Sequence, residues 1–328
     1  MSCAEVTVRK VAVVAIGRNE GERLAKCLAS VIAVGAPVVY VDSGSRDGSV
    51  ATARGAGIDV VELDGGIPYT AARARNEGFE RVRRLTPDLS YVQFVDGDCE
   101  IIAGWIEKAV AFLDAHREVA VVCGRLRERY PRRSIYNRLC DIEWDTPVGE
   151  TDACGGNALM RVDAFERVGA YRADLAAGEE PELCARLRAA GWRVWRLDVE
   201  MARHDAAMMR FSQWWWRAVR TGYGVAQHAY LFGTPSLRWG ALRAWLWGVW
   251  LPLACLVFGV VLGPWGWASW LIYPLQFLRQ TLRNRGPLSR RAFLALFQLV
   301  SRFAECWGQI KFMCERLLDR QARLIEYK

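Results

Sequence analysis

The chain has 328 residues, 52% of them hydrophobic, with 44 basic against 36 acidic side chains and a formal net charge of +8. That length accommodates one domain of about 200–250 residues plus an appendage. Ten cysteines without a CxxC pair, beside three histidines, speak against a zinc site and read as small buried hydrophobes of a reducing compartment.

The charge is unevenly spread. Residues 1–200 carry a net −4, and residues 201–328 a net +12 together with 11 of the 15 tryptophans. A basic, Trp-rich, apolar C-terminal third suits a lipid headgroup surface. Nucleic acid is the competing partner for a basic segment. The long uncharged run inside this one argues against it, so no nucleic-acid partner is expected.

The opening segment MSCAEVTVRK has no apolar signal-peptide core, so the catalytic part is expected to stay in the cytosol. Five short apolar runs then recur: Val11–Ile16, Val38–Val41, Ile58–Leu63, Tyr91–Val95 and Val119–Cys123. Segments with helical spacing separate them at 20–34, 47–56, 69–84 and 103–116. Continuous apolar strands alternating with helices predict an α/β fold, a mostly parallel, Rossmann-like sheet covered on both faces. Ligands of such a sheet bind at the carboxyl ends of its strands.

Polar residues follow those strand ends. Asn19-Glu20 comes after the first strand, and Asp42 opens the run Asp-Ser-Gly-Ser-Arg-Asp-Gly-Ser after the second. Asp42 is placed to accept from a base N–H, and Asp47 and Ser49 to cap the next helix. Arg73, Arg75 and Asn76 lie on the following helix, where arginine offers fixed donors to phosphate. Asp96-Gly97-Asp98 ends the Tyr91 strand. Two carboxylates at i and i+2 across a glycine suit a hard cation, Mg²⁺ or Mn²⁺, shared with a diphosphate. Glu179 and Glu180 begin a helix, where the dipole keeps a carboxylate ionised and able to serve as general base. His204 follows the strand Val194–Leu197 and admits three roles: third metal ligand, phosphate contact or core histidine.

Beyond residue 235 the pattern changes. Ala244 to Leu278 are 35 residues without a charge. As one helix they would span about 52 Å, too long for a ~30 Å hydrocarbon core. Gly263-Pro264 supplies a break, predicting a hairpin over about 244–281 with helices near 244–262 and 265–281. Arg238 and Arg243 precede it and Arg279, Arg283, Arg285, Arg290 and Arg291 follow, which places both ends at the cytosolic face. A buried core hairpin is the competing reading. An amphipathic helix over about 290–320 suits the interface or ordinary packing. The expected division is thus a catalytic domain at 1–235, with donor half 8–100 and acceptor half 101–210, and a membrane-associated region at 236–328.

The ordered set of motifs resembles family 2 glycosyltransferases of the GT-A fold over about residues 8–205. Ile16-Gly17-Arg18-Asn19-Glu20 and Val41–Ser49 resemble the family's first two nucleotide motifs, with Ser43 in place of the second Asp of V-D-D-G-S. Ala74-Arg75-Asn76-Glu77-Gly78 resembles A-R-N-x-G, and Asp96-Gly97-Asp98 the metal motif D-x-D. Gly155-Gly156-Asn157-Ala158 resembles the acceptor-side segment, and Glu179-Glu180 stands where the family has E-D, whose second acid is the base. Gln213-Trp-Trp-Trp-Arg217 departs from the processive motif Q-x-x-R-W, which argues against polymerisation. The resemblance implies an inverting transfer from a UDP- or GDP-sugar, bound by Ile16, Asn19, Glu20, Asp42, Ser45, Arg75, Asn76, Asp96 and Gly97. The metal would sit on Asp96, Asp98 and His204. Gly155, Gly156, Asn157, Gln213 and Arg217 would line the acceptor side, and Glu180, with Glu179 beside it, would supply the base. A membrane-anchored enzyme implies a polyprenyl-linked or glycan acceptor. The alternatives are a soluble acceptor, a nucleotidyltransferase that would release pyrophosphate, or a non-enzymatic membrane scaffold. An oxidoreductase is disfavoured, because Gly55-Ala56-Gly57 precedes a strand and lacks the third glycine of the dinucleotide fingerprint.

Overall fold

The computed structural model describes residues 10–232 and 235–318. The opening segment read for a leader, up to residue 9, and the end of the expected C-terminal helix beyond 318 lie outside the described residues. The chain divides into two compact units, Met1–Met209 and Arg210–Lys328.

The first unit is built on a nine-stranded sheet in the order β3-β2-β1-β4-β8-β6-β9-β5, with β7 joined to β9. The strands are β1 (Val11–Gly17), β2 (Val38–Asp42), β3 (Asp59–Glu62), β4 (Tyr91–Asp96), β5 (Cys99–Ile101), β6 (Val119–Glu128), β7 (Gly149–Glu150), β8 (Ala158–Arg161) and β9 (Arg193–His204). The helices of this unit are α1 (Glu22–Ile32), α2 (Ser49–Gly55), α3 (Ala71–Leu85), α4 (Trp105–Ala115), α5 (Ile135–Trp144), α6 (Val162–Arg167) and α7 (Glu179–Ala189). In the donor half β3, β2, β1 and β4 are mutually parallel, as expected. Val11 to Ala15 are fully buried, the consequence of an apolar strand covered on both faces.

The acceptor half is mixed. β8 runs antiparallel between β4 and β6, and β5 and β7 run antiparallel to β9. β9 is parallel to β6 and continues well past Leu197, with register irregularities that bring its far end level with that of β6. Gly78 has a packing role: a Cβ there would fall 2.3 Å from Val14 Cγ1 and 2.9 Å from Val41 Cγ2. Glycine therefore lets α3 press on β1 and β2.

The second unit is helical: α8 (Phe211–Phe232), α9 (Pro235–Trp245), a π-helical turn (Leu246–Trp250), α10 (Leu251–Leu262), α11 (Pro264–Trp267), a 3₁₀ turn (Ala268–Leu271), α12 (Ile272–Arg283) and α13 (Leu288–Leu317). Within this unit α8 packs on α13 through two glycines. A Cβ at Gly222 would lie 2.0 Å from the Glu305 carbonyl oxygen, and one at Gly308 2.0 Å from that of Val219. One helix ends at Leu262 and the next starts at Pro264, with Gly263 between them at φ 62. Arg238–Leu262 is one continuous helix of 25 residues, long and apolar enough to cross a membrane. Its apolar side chains are exposed (Val260 78%, Val261 71%), as is Trp265 at 87% just beyond it, so this is no buried core helix.

Candidate active site

The parallel register sets the donor side. Gly17 pairs with Asp42 and Ile16 with Asp96, so three strand ends finish level. Past β1 the backbone of Asn19 turns left-handed (φ 54), a conformation asparagine tolerates. Its N–H donates to Ser45 Oγ (2.9 Å), and its Oδ1 accepts from the Arg46 N–H (2.8 Å), joining the β1 and β2 loops. Asp47 adds a second link, accepting from the Gly21 N–H at 3.1 Å and the Ser49 N–H at 2.9 Å. Gly48 holds the N-cap position without a side-chain bond, and Asp47, one residue before it, takes the first N–H of α2. Asp42 is buried and accepts from the Ser45 N–H (2.7 Å) and the Tyr40 hydroxyl (3.2 Å), so its carboxylate frames the floor of this loop pair. Glu20 pairs with Arg23 at 2.8 Å.

Arg75 is the central cation. It is 2% exposed, and its Nη2 donates to Asp96 Oδ1 at 2.8 Å while Nη1 donates to Glu179 Oε1 at 2.6 Å. Burial alone would lower its pKa, but Asp96 and Glu179 raise it above the ordinary arginine value. The nearby Gly156 is required: a Cβ there would meet Arg75 Nη2 at 2.6 Å and Asp96 Oδ2 at 2.8 Å. Asn157 accepts the Asp96 N–H on its Oδ1 at 3.0 Å. Two neighbours of Arg75 on α3 differ from expectation. Asn76 donates to the Tyr171 carbonyl (2.7 Å) and accepts its N–H (3.0 Å), and so ties α3 to the 171 loop instead of facing the donor. Arg73 donates to the Asp64 and Ile67 carbonyls, both at 2.9 Å, and shapes that loop.

The Gly97 N–H donates to the Ile16 carbonyl at 2.7 Å, which turns the chain from β4 toward β5. β5 pairs with β9 so that Cys99 faces His204. His204 Nε2 thereby lies 3.2 Å from Asp98 Oδ2, with side-chain exposures of 14% and 2%. Ligand atoms of Asp98, Cys99 and His204 all lie within 4.8 Å of one another. A carboxylate oxygen beside an imidazole nitrogen at a strand end suits Mn²⁺ or Mg²⁺ together with substrate phosphate. Asp96 is turned instead to Arg75.

On the opposite side, Gly178 in the left-handed region starts α7. Glu180 Oε1 accepts from the Cys154 N–H and, at 3.2 Å, from the Cys184 thiol. Among the described residues no hydrogen bond takes its Oε2. Gln213 and Arg217 fall on α8 in the second unit, where Gln213 Oε1 accepts the Arg210 N–H at 3.0 Å.

These level strand ends, with acids at the close of β4 and the start of α7, coincide with a family match: residues 12–169 fit the model of glycosyl transferase family 2. That stretch, just under half of the chain, is similar to this family. The glycosyltransferase shares its fold with solved structures of low identity. The mannosyltransferase PcManGT of Pyrobaculum calidifontis, solved with GDP-Man and Mn²⁺, is 19% identical over 94% of this chain and 87% of that one, with a TM-score of 0.55. A mycobacterial protein is 17% identical over 72% of this chain and 80% of that one, at a TM-score of 0.50. No curated protein matches the sequence. In the glycosyltransferase site, sequence reasoning passed over Glu128, which closes β6 level with His204. Gly124-Arg-Leu-Arg separates it from the apolar run Val119–Cys123, so only the register of β6 with β9 reveals it.

Proposed function

We propose that the protein moves a sugar from a nucleoside diphosphate sugar to a hydroxyl of a lipid-linked acceptor at the cytosolic face of a membrane, inverting the anomeric centre. The observation that carries this reading is Arg75, on which the acid ending β4 and the acid starting α7 converge. The diphosphate side and the proton-accepting side are thereby parts of one site. The loops of Ile16–Glu20 and Asp42–Ser49 hold the nucleoside. Asp98 and His204 would hold Mn²⁺ or Mg²⁺, which when bound offsets negative charge on the diphosphate, while Asp96 stays on Arg75. Glu180 takes the acceptor proton as the hydroxyl oxygen bonds to the anomeric carbon. The bond from that carbon to the diphosphate oxygen breaks, and the nucleoside diphosphate leaves with the electron pair. One displacement gives inversion.

A panel of UDP-, GDP-, CMP- and dTDP-sugars with Mn²⁺ tests the reaction. One diphosphate sugar is expected to raise the melting temperature in a metal-dependent way and to release nucleoside diphosphate on turnover. Release of pyrophosphate would instead make the protein a nucleotidyltransferase.

The exposed apolar helix Arg238–Leu262, followed by a short return through α11 and α12, supports insertion into the cytosolic leaflet. Trp245, Trp247, Trp265 and Trp267 then lie near the interface, with Arg279 to Arg291 among anionic headgroups. The full chain is expected to sediment with membranes, to stay there through high salt and carbonate, and to dissolve in detergent. Recovery from the soluble fraction without detergent would remove the basis for a lipid-linked acceptor.

A further inference from the structure

Glu128 is a carboxylate whose side chain is completely buried, at 0% exposure. Three neutral donors serve it. The Tyr130 N–H and Asn137 Nδ2 donate to Oε1, and the Ala206 N–H to Oε2, each at 3.0 Å. Among the described residues no lysine or arginine pairs with it. The flanking arginines turn elsewhere, Arg127 to Asp141 and Arg129 to Glu100. Among the described residues its one ionisable neighbour is His204, whose Nδ1 faces Glu128 Oε2 at 3.9 Å, just beyond direct hydrogen-bond reach. The sheet makes this pairing. β6 and β9 set Glu128 level with His204, and β9 and β5 set His204 level with Cys99, beside Asp98. Trp144 packs edge-on against the imidazole, with ring centroids 4.5 Å apart.

A buried charge needs a compensating partner. An imidazole that ligates through Nε2 must carry its proton on Nδ1 and is oriented by an acceptor there. From this geometry we infer that Glu128 is a positioning residue, holding His204 so that Nε2 presents its lone pair to the metal beside Asp98. The inference rests on the metal reading given above and adds a group that does not itself touch metal or substrate. Asn137 supports it from behind: its Nδ2 holds Glu128, and its Oδ1 accepts the Met208 N–H at 3.0 Å.

Glu128→Gln replaces the acceptor facing His204 Nδ1 with an amide. The probe is Mn²⁺, titrated into full-length protein saturated with the UDP or GDP that the donor panel selects, with free Mn²⁺ read by electron paramagnetic resonance. Glu128→Gln is expected to weaken Mn²⁺ binding by about 10–100-fold, the usual effect of losing such a partner. Nucleotide affinity without metal should not change. Because Glu128 acts through His204, the double variant Glu128→Gln/His204→Ala should bind Mn²⁺ no more weakly than His204→Ala alone. Wild-type affinity in Glu128→Gln, or losses that add in the double variant, would overturn the inference. If Glu128→Gln does not fold, Glu128→Asp, whose carboxylate is drawn back by one methylene, is measured in its place. It is expected to lose affinity in the same direction, and unchanged affinity overturns the inference equally. Wild-type protein that binds no Mn²⁺ with nucleotide present would overturn both this inference and the metal reading beneath it. Failure in the variants alone leaves that reading standing.

Discussion

Asp98→Asn is expected to reduce sugar transfer on the order of 10³-fold, the upper end of what one lost charge-stabilising group costs. The side chain is buried, and its Oδ2 lies beside His204 Nε2 at 3.2 Å. Asparagine matches the shape but removes the charge that makes this pair a cation site. Nucleotide binding in Mn²⁺ should weaken as well, and the melting temperature without metal should hold. Chelation with EDTA should reproduce the loss in wild-type protein. Full transfer in EDTA, or by the variant, would show that the diphosphate leaves without a metal on Asp98.

The parts of this architecture legible in the sequence are those whose cause is local. β1, β2 and β4 announce themselves because burial on both faces demands uninterrupted apolar residues. The break at Gly263 is equally local, since the next residue is proline. β5, β7 and β8 are two to four residues long and exist through pairing with distant strands, so no periodicity marks them. β9 was read only as far as Leu197, because charged residues alternate through Asp198 to Arg203 on a strand that is partly exposed. That lost half carries His204, and only the register with β5 shows that it lies beside Asp98. Glu128 was missed for a related reason: irregularities between β6 and β9 shift the alignment, and no count along either strand predicts that the two meet. Asn76 erred the other way. A polar residue beside Arg75 looked like a ligand, but its amide is engaged by the backbone of Tyr171.

The two acids opening α7 should separate cleanly on mutation. Glu179 is clamped by Arg75 at 2.6 Å, and Asp96 holds the other end of the same guanidinium at 2.8 Å. Glu179→Gln takes one of two anions from a buried cation, a change that destabilises the site itself. Melting temperature and donor affinity should therefore fall together. Glu180 is held on one oxygen, by the Cys154 N–H and the Cys184 thiol, which fixes the carboxylate and leaves Oε2 to meet a hydroxyl. Glu180→Gln preserves the side-chain length and can still accept on its remaining oxygen, so fold and donor binding should persist. Turnover should drop by roughly 10²–10⁴, the usual worth of a general base. Measuring kcat, donor affinity and melting temperature on both variants decides the assignment. A folded, donor-binding Glu179→Gln protein without turnover, beside an active Glu180→Gln protein, would move the base to Glu179 and leave Glu180 a packing group of the Cys154–Cys184 pocket.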